Sequence, residues 1–76
     1  MYKVLDDEEF GLYVNIPDYD IYDELEDFFV EEHDIVPLAV QEVKSKLATT
    51  YRLWFDHGAN AQEIQNVVNH YFENNS

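Results

Sequence analysis

The stretch from Asp6 to Asp34 holds thirteen acidic residues and no lysine or arginine, and this crowding limits what the first half of the chain can fold into. A carboxylate is not buried without a partner, so any helix formed there must turn an apolar stripe inward and a carboxylate face to water. The second half holds only Glu42, Asp56, Glu63 and Glu73 against Lys44, Lys46 and Arg52. Nearly all of the formal charge of −13 therefore lies before Val36.

The chain is nonetheless not a disordered acidic tail. Its hydrophobic fraction of 46% and aromatic fraction of 16% supply the large side chains needed for collapse. At 76 residues, 1–76 reads as a single acidic globular domain near the size at which one core just offsets chain entropy. Without cysteine there are no disulfide staples and no thiolate metal site, which favours a reducing cytoplasm. Residues 1–7 lack the basic and apolar regions of a signal peptide, and no stretch approaches 18 apolar residues, so no membrane association is expected.

The patterning predicts an α+β, mainly α, domain: a short N-terminal β-hairpin over residues 1–16 followed by three packed helices. Tyr2 to Leu5 and Phe10 to Ile16 are β-rich runs flanking the polar tip Asp6-Asp7-Glu8-Glu9. From Asp18 the period turns helical, with Ile21, Leu25, Phe28 and Phe29 on one stripe, giving a helix over 18–33. Pro37 suits a first helical position, and Leu38, Val40, Val43, Leu47, Tyr51, Trp54 and Phe55 give a second helix over 37–57, with Trp54 as a core anchor and Gly58 as its stop. Asn60-Ala61-Gln62-Glu63 reads as a capping box before Ile64, Val67, Val68, Tyr71 and Phe72, giving a third helix over 60–73.

The outer face of the first helix is the principal candidate site. Asp20, Asp23, Glu24, Asp27, Glu31 and Asp34 recur at three- and four-residue steps opposite the apolar stripe. Such a row runs roughly 20 Å with steps of about 6 Å, close to the spacing of phosphates along a nucleic-acid strand. Like charges at these steps cost a helix a few tenths of a kcal/mol per pair, which argues for a purpose. The plainer alternative is a solvated, solubilising face. Asp6, Asp7, Glu8 and Glu9 either extend the negative surface or form an ordinary polar turn. Tyr19 and Tyr22, like Tyr13, offer interface anchors if exposed and core rings if buried.

Other chemistries are excluded by spacing. Asp18-x-Asp20 lacks the glycine and the bidentate glutamate of a calcium loop, because Asp23 and Phe29 stand there. His33, His57 and His70 share no metal-ligand spacing. There is no Gly-rich phosphate loop and no nucleophile elbow, so neither an enzyme nor a cofactor is expected. A charge of −13 opposes direct contact with nucleic acid or anionic lipid and favours a basic protein partner.

In size, charge and acid spacing over residues 6–34, the chain resembles small acidic inhibitors from bacteriophages and mobile elements, which imitate DNA to block restriction enzymes, CRISPR effectors or uracil-DNA glycosylases. The resemblance implies a DNA mimic that occupies the basic, nucleic-acid-binding surface of a partner in the bacterial cytosol. The alternative is a small cytosolic adaptor or regulatory module that binds through an apolar surface. A homodimer is compatible with either.

Overall fold

The computed structural model describes residues 2–56 and 58–74. Along the chain run β1 (Val4–Asp7), β2 (Gly11–Ile16), α1 (Tyr19–His33), β3 (Ala39–Lys44), β4 (Thr49–Phe55) and α2 (Ala61–Asn74). The strands form one antiparallel sheet in the order β1-β2-β4-β3. A hairpin followed by a helix thus occurs twice, with β2 and β4, the strand that precedes each helix, paired at the centre.

This corrects the expectation of three packed helices. The stretch expected as a helix over 37–57 is a second hairpin, β3 and β4, and two helices remain among the described residues. Its apolar residues satisfy a helical period and a strand period at once. Strand propensity in Thr49, Thr50 and Tyr51, and the alternation of Leu53 and Phe55 around Trp54, decide for the sheet. A serine turn closes the hairpin: Ser45 donates from N and from Oγ to the Ala48 carbonyl at 3.0 and 2.8 Å. Pro37 leads into β3, where Leu38 N–H donates to the Trp54 carbonyl at 2.7 Å. Leu38, Val40 and Leu47, which a helix would have buried, are exposed. His57, the expected end of that helix, lies outside the described residues, as does Met1.

Both helices cover the same side of the sheet. Leu12, Val14 and Ile16 of β2 and Leu53 and Phe55 of β4 alternate inward to meet Leu25 and Phe29 of α1 and Ile64, Val67, Val68 and Tyr71 of α2. The Phe29 and Phe55 rings approach to 4.9 Å. Gln65 pins α2 to the first hairpin, accepting from Val4 N–H at 2.9 Å and donating to the Tyr2 carbonyl at 3.2 Å. Asp18 caps α1 by accepting from Ile21 N–H at 3.2 Å, and Asn60 caps α2 by accepting from Glu63 N–H at 3.0 Å.

Among the described residues no helix covers the opposite face of the sheet. Register aligns Leu5, Tyr13, Trp54 and Ala39 as one apolar row across all four strands, and Asn15, Arg52 and Gln41 as a polar row beside it. Trp54, expected as a core anchor, belongs to this second face. It is 9% exposed because Phe10 and Tyr13 pack against it, with ring centroids at 6.0 and 4.7 Å.

Candidate functional site

Helix α1 presents the acidic row. The core side is fixed by Leu25 and Phe29, both fully buried, and at 100° per residue Asp20, Asp23, Glu24, Asp27 and Glu31 fall on the opposite side. All five are exposed. Among the described residues no ion pair within 4 Å reaches the row; Lys44 pairs instead with Glu42, its neighbour on β3. Asp34 stands just beyond the helix as its terminator, with φ at 55° and Ile35 N–H donating to the Phe29 carbonyl at 2.9 Å. An aspartate tolerates this left-handed conformation better than most residues, so Asp34 has a backbone role in addition to its charge.

Between α1 and α2 the row borders a groove of about 250 Å³, walled by Glu24, Asp27, Glu31 and Glu32 over Phe28 and Tyr71. The groove combines carboxylates at the rim with an aromatic floor. This chemistry accepts the stem and the charged head of a lysine or arginine. Tyr71 donates from its hydroxyl to Glu24 Oε2 at 2.5 Å, and burial, then this bond, push its pKa up to about 12. On the other flank of α1, Glu26 is half-buried, and burial, then Asp27 and Asp23, raise its carboxyl above the usual range. Glu26, Glu32 and Tyr71 are not among the site residues expected from the sequence, where Tyr71 reads as a core ring. The helical period sets Glu32 in line with Phe28 and Phe29 and away from the acidic row, and contact with α2 is not legible from α1 alone.

The tyrosines divide. Tyr22 is half-buried and stacks on Tyr51 of β4, with centroids at 5.0 Å and planes at 17°, and Tyr19, 56% exposed, meets both rings at 5.4 and 5.7 Å. Tyr19 is the one free to act as an anchor. Burial, followed by Glu26, Tyr19, Asp23 and Tyr51, raises the Tyr22 hydroxyl pKa.

The hairpin tip does not prolong the row at its start. Residues 8–10 join β1 to the Gly11 end of β2, and α1 departs from the Ile16 end. Asp7 Oδ1 accepts from the backbone N–H of Glu9 and Phe10 at 2.9 and 3.0 Å, an aspartate turn. Gly11 follows with φ at 104°, where a side chain would be strained. Asp6 and Glu8 are exposed. The structure brings together Asp20, Asp23, Glu24, Asp27 and Glu31 on α1; Asp6, Asp7, Glu8 and Glu9 belong to the β1–β2 hairpin.

His33 and His70, distant in sequence, come to 5.6 Å between ring centroids, with the Phe28 ring at 5.1 and 5.7 Å from them. Among the described residues no group of three or more histidine, cysteine, aspartate or glutamate side chains is arranged to hold a metal ion, and no helix is long and apolar enough to cross a membrane. Compared with protein-family models, curated proteins and solved structures, the chain matches none of them.

Proposed function

We propose that the chain is an acidic binding protein that blocks the basic nucleic-acid-binding surface of a partner, with α1 taking the place of a phosphate backbone. The observation that carries this reading is the row Asp20, Asp23, Glu24, Asp27 and Glu31, exposed on one face of α1 with no basic partner among the described residues. Over the fifteen residues of α1 it spans roughly 20 Å. The groove beside it offers a seat for one arginine or lysine side chain from the partner. Recognition is by competition and by opposite fields that speed encounter; no bond is made or broken. Anti-restriction and anti-CRISPR inhibitors of phages are the functional class with this chemistry.

The test is capture from a bacterial lysate by wild type and by a variant in which Asp20, Asp23 and Asp27 become Asn and Glu31 becomes Gln. The expected outcome is a nucleic-acid-binding protein held by wild type alone and displaced by salt and by added DNA. A partner held equally by both proteins and indifferent to salt overturns the reading. That outcome would favour the second one, a small adaptor binding through an apolar surface, for which the exposed Phe10 and Leu38 on the helix-free face of the sheet speak.

A further inference from the structure

We infer that the hollow between the start of α1 and β3 is a guanidinium seat, in which an arginine of the partner stacks on tyrosine rings; that the partner is a basic protein rests on the function proposed above. Tyr19 and Tyr22 of α1 and Tyr51 of β4 converge there, with ring centroids at 5.7, 5.4 and 5.0 Å from one another. Asp23 bounds the hollow from the helix, Val40 and Glu42 bound it from the edge strand, and it encloses about 320 Å³. Register sets Glu42 directly opposite Tyr51, on the side of the sheet that faces the helices. Val40 and Glu42 are nonetheless exposed, so this corner of the molecule stands open to a side chain from outside.

The chemistry of the walls selects the occupant. Packing alone accounts for Tyr22 stacked on Tyr51 at 17°, but not for Tyr19, which joins the same cluster while 56% exposed. An aromatic face attracts a cation through its quadrupole, and arginine is the commoner cation found there. A guanidinium lies flat on a ring while its N–H groups fork towards carboxylates beside it, and it sheds water more readily than an ammonium. Here the tyrosines supply the platform, and Asp23 and Glu42, both exposed, supply acceptors from two different elements. Lys44 approaches Glu42 at 3.9 Å with both side chains exposed, and so weak a pair yields to a better-placed guanidinium. A carboxylate row alone would hold any base by charge; the rings are what tell arginine from lysine. The seat lies across α1 from the groove floored by Phe28 and Tyr71, so an arginine on each side would hold the helix between them.

NMR titration of the isotope-labelled full chain with N-acetyl-arginine amide, and separately with N-acetyl-lysine amide, tests this at about 0.15 M salt, where charges more than about 8 Å apart are screened. The arginine probe is expected to give saturable shifts at the backbone amides of Tyr19, Asp23 and Glu42 and at the Gln41 side chain, with an affinity about threefold or more above that of the lysine probe. Tyr19→Leu, at an exposed position, and Asp23→Asn are each expected to weaken arginine binding by about threefold or more with the rest of the spectrum unchanged. Glu63→Gln, at an exposed acid on α2, leaves it unaltered. An equal response to the two probes, shifts confined to the groove of Phe28 and Tyr71, or binding that survives both Tyr19→Leu and Asp23→Asn overturns the inference. Saturable arginine binding with no DNA-displaceable partner in the lysate supports the seat and removes the mimicry reading; capture of such a partner with no arginine response at the hollow does the reverse.

Discussion

Tyr71 and Glu24 join the two helices through a hydrogen bond, the hydroxyl of α2 donating to a carboxylate of the acidic row at 2.5 Å. The bond holds Glu24 at the groove wall. The ring of Tyr71 is buried, so Tyr71→Phe keeps the ring packing and removes the bond to Glu24. It is expected to cost about 1 kcal/mol in urea unfolding at pH 7. The hydroxyl titrates at 10.0 without the fold's influence and at about 12 within it. Its contribution is therefore whole below pH 10 and lost as pH climbs towards 12. Denaturation profiles from pH 9 to 12 should show a steeper alkaline loss for wild type than for Tyr71→Phe.

Glu26 works in the opposite sense from most carboxylates. Because burial and its neighbours Asp27 and Asp23 raise its pKa, the folded state holds the proton more tightly than the unfolded chain. The favourable contribution is thus present below the unfolded value of 4.5 and disappears as pH rises through the raised one. Glu26→Gln should stabilise the protein at pH 7 by about 0.3 kcal/mol or more, with the gain vanishing below pH 4.5. Thermal melts of both proteins at pH 4 and pH 7 measure the difference.

Leu47 and Leu53 discriminate the second hairpin from a helix, whose apolar face would take in Leu47 and leave Leu53 off it. Leu47 is 98% exposed at the β3–β4 turn and Leu53 is fully buried on central β4. Leu53→Ala should cost about 2–5 kcal/mol, a large share of the stability of a small domain, whereas Leu47→Ala should fall within about 0.5 kcal/mol of wild type. Comparable losses at the two positions in denaturant unfolding would contradict the sheet.

Gly11 is required by its backbone. With φ at 104°, Gly11→Ala places a side chain in a region that L residues rarely enter, and a loss of about 1–2 kcal/mol is expected. Calorimetric melting of the variant checks the magnitude.

The elements that repeat a clear period are legible in the sequence. Ile21, Leu25, Phe28 and Phe29 mark α1, and Ile64, Val67, Val68 and Tyr71 mark α2. The stretch from Ala39 to Phe55 misleads because its apolar residues fit both periods, and the choice is made by pairing: β4 has β2 on one side and β3 on the other, and neither partner is visible in the local window. The acidic row follows from helical geometry once α1 is placed. The groove beside it needs Tyr71 from the far end of the chain, and the row Leu5, Tyr13, Trp54 and Ala39 exists only through register, so neither can be read from linear spacing.

The central pairing also governs how quickly the protein reaches its folded form. Each hairpin closes locally, yet Ile16 meets Tyr51 only after α1 and all of β3 have been looped out between them. The entropy of that closure must be met before β2 and β4 return any energy, which places the rate-limiting barrier at their meeting. Until then each half presents the edge of its central strand, β2 or β4, to any extended chain nearby. Crowded synthesis at high temperature is therefore where this small acidic protein is most exposed to mispairing.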